Sequence, residues 1–237
     1  MKKACILVAL FGCSLLQASA QSLGIAPEIG LNFTDLYTRY NGIYSSNNIR
    51  VGVKLGGVLD VGITRSFSIQ PGLFYSMKGA TQDFTTYSTV GNTVQSQETK
   101  YNYRIDYLEF PVNFQYKFSH SPMGHYFIGA GPYWGLALGG RATMETGTTV
   151  VNYNNGFVTS RDRGSSYYLN IGNNPAVDDV RRFDMGLNFN AGYQFRHGLL
   201  LRANYGLGLV NILPGGDANN YMRNWGLGLS VAYLFHL

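Results

Sequence analysis

Apolar and polar residues alternate with a period of two along most of this chain. Between 225 and 237 one set of alternate positions holds Trp225, Leu227, Leu229, Val231, Tyr233, Phe235 and Leu237. The other holds Gly226, Gly228, Ser230, Ala232, Leu234 and His236. Between 183 and 196 the pattern repeats, with Phe183, Met185, Leu187, Phe189, Ala191, Tyr193 and Phe195 on one side and Asp184, Gly186, Asn188, Asn190, Gly192, Gln194 and Arg196 on the other. Neighbouring residues of a strand face opposite sides of a sheet, so this is a strand signature; on a helix the same apolar residues would scatter around the axis.

The same template predicts eight strands, near 23–34, 49–63, 67–78, 101–118, 126–139, 183–196, 199–211 and 222–237. The fourth breaks phase: Leu108, Phe110, Val112, Phe114, Tyr116 and Phe118 share a face, while Ile105 and Tyr107 fall on the other. A bulge near Tyr107, or a strand that runs past the rim before Leu108, accounts for the break. Long connections are expected near 35–48, 79–100, 140–182 and 212–221, and they alternate with short ones at 64–66, 119–125 and 197–198. Short turns on one side and long loops on the other are the habit of outer-membrane barrels, and with eight strands both termini fall on the short-turn, periplasmic side.

No segment carries the roughly 18 to 20 consecutive apolar residues that a membrane helix needs, so a bilayer span here must be a closed sheet. The predicted fold class is therefore all-β, an eight-stranded antiparallel up-and-down transmembrane barrel. A soluble lipocalin-like barrel would alternate too, with its large apolar residues turned inward. The polar face, however, carries Glu28, Lys54, Asp60, Glu109, Lys117, Asp184, Arg196 and Arg202 among many glycines. Such a mixture suits a tight lumen better than a solvated surface. The expected polar network of the lumen pairs Glu28, Glu109 and Asp184 with Lys54, Lys117 and Arg202. A lipid-facing aromatic girdle is expected from Tyr116, Phe118, Trp134, Tyr193, Phe195, Trp225, Tyr233 and Phe235.

Composition adds export and subtracts several chemistries. Lys2 and Lys3, the apolar run 6–16 and Ala18-Ser19-Ala20 read as a signal peptide over 1–20, with the mature chain, 21–237, starting at Gln21. Cys13 could alternatively be a lipidation site, although Phe11 fits that pattern poorly. Cys5 and Cys13 are the only cysteines, so the mature chain has no disulfide and no thiolate metal site. Losing two lysines leaves 16 basic against 13 acidic residues, an excess too small to argue for nucleic acid.

No catalytic, cofactor or metal site emerges. His120, His125, His197 and His236 all fall at the short-turn end, away from any nucleophile and acid on the long loops. Asp178 and Asp179 with Glu145 and Asp162 lack calcium-loop spacing, and the Gly-Gly pairs at 56, 139 and 215 have no phosphate-loop context.

Tyr107-Leu108-Glu109-Phe110-Pro111-Val112, followed by Gln115-Tyr116-Lys117-Phe118, resembles the signature of the PorT-like outer-membrane β-barrel family of Bacteroidetes. Further matches are Gly30-Leu31-Asn32-Phe33, Gln70-Pro71-Gly72-Leu73-Phe74-Tyr75-Ser76, Gly129-Ala130-Gly131-Pro132-Tyr133 and Phe183-Asp184-Met185-Gly186-Leu187. The resemblance spans essentially the whole mature chain. It implies insertion into the outer membrane by the barrel-assembly machinery and an accessory or structural envelope role linked to secretion through envelope or secretion-complex proteins. It defines no catalytic residue. Leu237 stands where proteobacterial barrels usually end in Phe. The alternative is a surface adhesion or ligand-binding barrel acting through its long loops.

Overall fold

A computed structural model describes residues 22–45, 47–91, 93–152 and 156–237. The signal sequence, Gln21 and both cysteines lie outside the described residues. Eleven strands follow in chain order: β1 (Ser22–Tyr40), β2 (Ile43–Ser45), β3 (Asn48–Gly62), β4 (Phe67–Val90), β5 (Thr93–Ser121), β6 (Gly124–Asn152), β7 (Gly156–Tyr168), β8 (Phe183–Phe195), β9 (Leu199–Gly208), β10 (Tyr221–Tyr233) and β11 (Phe235–His236). Eight of them form a closed antiparallel ring: β1, β3, β4, β5, β6, β8, β9 and β10 each pair with the next, and β10 returns to β1 through Glu28↔Ala232 to Arg39↔Tyr221. Closure removes every free strand edge from the barrel wall, a condition for a sheet that crosses hydrocarbon.

The alternation decides which side each residue faces. On β10, Asn224, Gly226, Gly228, Ser230 and Ala232 are buried, while Leu227, Leu229, Val231 and Tyr233 are exposed. On β8, Asp184, Asn190 and Gln194 are buried, while Phe183, Met185, Leu187 and Phe189 are exposed. The large apolar residues therefore point out of the ring, the reverse of a soluble lipocalin-like barrel. Inward glycines make room for inward rings: a Cβ on Gly186 would stand 2.7 Å from the Tyr133 ring, and one on Gly192 2.5 Å from the Phe127 ring. The three-residue turn after β8, Arg196 to Gly198, needs Gly198, whose φ of 99° lies where a Cβ clashes.

Ring strands differ greatly in length. β4, β5 and β6 have 24, 29 and 29 residues, against 13, 10 and 13 for β8, β9 and β10. β4 pairs with β3 only as far as Thr81, and β6 pairs with β8 only as far as Leu136. Past those points β4, β5, β6 and β7 continue as a four-stranded sheet, with β7 paired to β6 from Arg141↔Tyr168 to Asn152↔Gly156. About ten residues per strand project beyond the ring, on the order of 30 Å at the rise of a strand. The segments 79–100 and 140–182, expected as loops, are thus mostly hairpin strand. Among the described residues of these segments, 169–182 is irregular, and it folds back over the barrel mouth. The region expected as a loop at 35–48 likewise prolongs β1 to Tyr40 and adds the short pairing of β2 to β1.

The apparent phase break at Tyr107 is no break in β5: Ile105 and Tyr107 are apolar residues of the inner face, in the buried cluster at the long-hairpin end, and the irregularity belongs to β6. Asp106 pairs with Gly139 but Tyr107 pairs with Ala137, which leaves Leu138 as an extra residue on β6. The bulge lies on the partner strand, so β5 keeps its parity: Ile105, Tyr107, Glu109, Asn113 and Gln115 all face inward and are buried. Arg196, expected on the inner face, instead sits exposed in the turn after β8, its amide donating to the Met123 carbonyl at 2.9 Å.

Candidate functional site

Side chains fill the ring in layers, as the interior width of eight strands requires. At the short-turn end Ala26, Val58, Phe74, Phe127, Leu200, Ala232 and Leu234 form a buried apolar cluster. At the long-hairpin end Leu36, Ala80, Ile105, Tyr107, Ala137, Ala142, Leu169, Val180 and Ile212 form a second one. Charged residues lie among and between them, with Asp60 and Lys117 reaching the short-turn mouth.

Toward the short-turn end the charges form one connected chain. Lys117 Nζ lies 2.8 Å from Asp60 Oδ2, and Gln70 Nε2 donates to Asp60 Oδ1 at 2.9 Å. Arg202 Nη2 donates to Gln70 Oε1 at 2.7 Å, and its Nη1 lies 3.1 Å from Glu28 Oε2. Glu28 Oε1 receives Lys54 Nζ at 3.2 Å and the Ser230 hydroxyl at 2.8 Å. Lys54 stands 3.9 Å from the centre of the Phe74 ring, and the Arg202 guanidinium 5.6 Å from that of Phe127, so each cation is shielded by an inward aromatic.

Toward the long-hairpin end the cation is Lys78, which was absent from the expected network. It pairs with Glu109 and lies 3.9 Å from Asp184 Oδ2. Asp184 Oδ2 also accepts from the Tyr133 hydroxyl at 3.1 Å and Asn224 Nδ2 at 2.9 Å, and Asn224 reaches the Tyr107 oxygen at 3.2 Å. The expected partners of Glu109 and Asp184, Lys117 and Arg202, sit elsewhere: Lys117 serves Asp60 and Arg202 serves Glu28. Parity alone could have found Lys78, because Gln70, Phe74, Ser76 and Lys78 share one face of β4. Between the layers Asn32, Lys54, Lys78, Glu109, Tyr133 and Asn204 enclose about 40 Å3, room for a few waters and no more.

On the outer wall the aromatic residues form a band at the short-turn end. Ring centres run from Phe67 to Tyr116 (5.0 Å), Phe118 (6.1 Å), Tyr126 (6.1 Å), Tyr193 (4.8 Å) and Phe195 (4.8 Å), with Tyr233 and Phe235 also adjacent at 4.7 Å. Trp134 and Trp225 stand higher on the wall; Trp134 is exposed and Trp225 half-buried. Near the far rim Tyr37, Tyr44 and Tyr221 cluster, with Arg39 over Tyr44 and Arg223 over Tyr221. These rings were not among the expected girdle, because they lie where a loop was predicted.

His125 and His236 line a hollow at the short-turn mouth together with Arg65, Lys117 and Arg196, and His197 stacks near Phe195 at 5.4 Å. The acids of the cap are engaged in building it: Asp178 Oδ2 accepts the Asn174 amide at 2.7 Å and Asp179 Oδ2 the Asn170 amide at 2.8 Å.

Residues 18–213 match the family described as outer membrane protein beta-barrel domain. The chain belongs to that family. Members of the outer membrane protein beta-barrel domain family reside in the outer membrane and are inserted there by the barrel-assembly machinery, and the eight-stranded ring with apolar residues outward is the form expected of one. Similar solved structures include Ail, the attachment invasion locus protein of Yersinia pestis, at 8% identity and a TM-score of 0.36, covering 91% of this chain and 100% of that one. The N-terminal β-barrel domain of Pseudomonas aeruginosa OprF is 12% identical, with a TM-score of 0.32 and coverage of 91% and 99%. The translocator domain of the autotransporter NalP from Neisseria meningitidis is 11% identical, with a TM-score of 0.27 and 98% of both chains covered. No curated protein matches the sequence.

Proposed function

We propose that this barrel is a sealed, non-enzymatic anchor in the outer membrane, with its short turns and termini periplasmic, and that its work is done by the sheet of β4, β5, β6 and β7 on the cell surface. The observation that carries this reading is the disparity in strand length above a filled lumen. Buried side chains fill the interior in layers around a hollow of about 40 Å3, whereas the longest strands extend well beyond what a bilayer crossing of roughly 9 to 11 residues requires. The projecting strands are rich in Thr, Ser, Tyr and Gln, and Phe84 and Tyr87 are exposed on them. Exposed rings among adaptable hydrogen-bonding side chains suit a protein-binding surface.

An accessory role in secretion is the second reading, motivated by the PorT-like signature at 107–112. In the structure Tyr107 and Glu109 of that signature build the lumen, and Leu108 and Phe110 face out of the wall. The resemblance therefore speaks to how the barrel is made more than to what it does.

Replacing 83–100 and 143–166 with tight turns separates the two. The trimmed barrel should still insert and run as a heat-modifiable band, since the ring is untouched. Loss of surface binding with unchanged secretion supports the platform reading; a secretion defect with binding intact rejects it in favour of the accessory role.

A further inference from the structure

The segment 169–182 is an ordered cap, not a slack loop. Ile171 and Val180 form a parallel bridge, and the Leu169 amide donates to Gly140 O at 3.0 Å. The Arg181 amide donates to Ile212 O at 2.7 Å, and the Ala137 amide to Arg182 O at 2.8 Å, so the cap is stitched to both the wall and the 209–222 segment. Beneath it lies a cavity of about 260 Å3. Leu36, Ile105, Leu169 and Val180 make its depth apolar, and Tyr103, Tyr167 and Asp179 stand in its wall together with Met222. Asp179 is the only charged side chain among the described residues that line it.

We propose that this cavity binds a small organic cation, with an aryl or short alkyl body in the apolar depth and a protonated amine held by Asp179 and the faces of Tyr103 and Tyr167. A carboxylate beside two tyrosine rings, with no cation opposing it in the wall, is the arrangement that attracts an ammonium group. The apolar floor gives the rest of the molecule a place to leave water. An anionic ligand would meet the same carboxylate as a like charge, which sets the sign of the selectivity. The site lies at the base of the projecting sheet, which supplies Tyr167, and its ligand is independent of what the outer part of that sheet binds.

The test titrates the full mature barrel in detergent micelles with benzylamine, benzyl alcohol and benzoate, reading methionine methyl resonances. Met222 lines the cavity, whereas Met123 in the far turn and Met185 on the outer wall report partitioning into the micelle. Benzylamine should shift Met222 saturably and roughly tenfold more tightly than benzyl alcohol, with benzoate weakest. Asp179→Asn keeps an oxygen for the Asn170 amide and should erase the preference for benzylamine while leaving benzyl alcohol binding in place. Leu213→Trp, in the lining, should fill the cavity and block both. Met222 unmoved, parallel unsaturable shifts at all three methionines, or benzoate binding as tightly as benzylamine would each overturn the proposal.

Discussion

The two charge clusters inside the barrel have opposite stoichiometries. Toward the short turns, two acids, Glu28 and Asp60, face three cations, Lys54, Lys117 and Arg202. Toward the hairpins, two acids, Glu109 and Asp184, share the single cation Lys78. Four acids thus face four bases across the interior, and neither layer is balanced by itself. The surplus charges are managed differently. The extra cation is spread over aromatic faces and the Gln70 bridge, whereas the extra acid is held by neutral donors, Tyr133 and Asn224. A layer with redundant cations should therefore survive the loss of one partner better than a layer with a single cation.

Lys78→Met gives the largest effect expected. It leaves two buried carboxylates facing one another with no counter-charge, and breaking a buried pair in this way costs about 3 to 5 kcal/mol. The temperature at which the folded band converts to the unfolded one on heat-modifiability gels should fall steeply.

Glu28→Gln comes next, at about 2 kcal/mol on the same gels. Lys54 and Arg202 lose their common carboxylate but keep Phe74, Phe127 and Gln70, and the new amide oxygen can still accept from Ser230. A larger drop for Glu28→Gln than for Lys78→Met would show that surplus cations, and not surplus acids, set the stability of the interior. Glu109→Gln is gentler again, because the amide oxygen can still accept from Lys78 and Asp184 remains as the ion; about 1 to 2 kcal/mol is expected.

The same contrast explains what could be read before the structure. Strand number, ring closure and the inward or outward sense of nearly every residue followed from parity, because lipid on one side and a crowded lumen on the other enforce a strict period of two. Where both faces of a strand meet water, that enforcement ends. Thr85 to Val90 and Thr146 to Val151 carry good strand formers without alternation, so these stretches read as loop although each is fully paired. The pairings of the lumen were hidden for another reason. Arg202 and Gln70 are 132 residues apart and meet across the ring, and which inward residues face one another depends on the stagger of eight strands, a quantity that no single strand contains. The bulge expected near Tyr107 is present at that register, but its extra residue, Leu138, lies on the neighbouring strand, which the reading of β5 alone does not contain.

The smallest effect is expected where the acid-rich layer meets the apolar seal above it. Tyr107 is fully buried, and its oxygen accepts from Asn224, which also donates to Asp184. Tyr107→Phe removes one hydrogen bond from a group that keeps its stronger partner, so about 1 kcal/mol is expected. The ring itself does something the hydroxyl does not, since it is the largest fully buried side chain of the apolar cluster that closes the long-hairpin end. Tyr107→Ala should therefore raise single-channel conductance in planar bilayers, whereas Tyr107→Phe should leave it at the wild-type level. If both variants conduct alike, the seal lies in the hydroxyl's polar contact and not in the ring, and the separation between the two layers is electrostatic instead of steric.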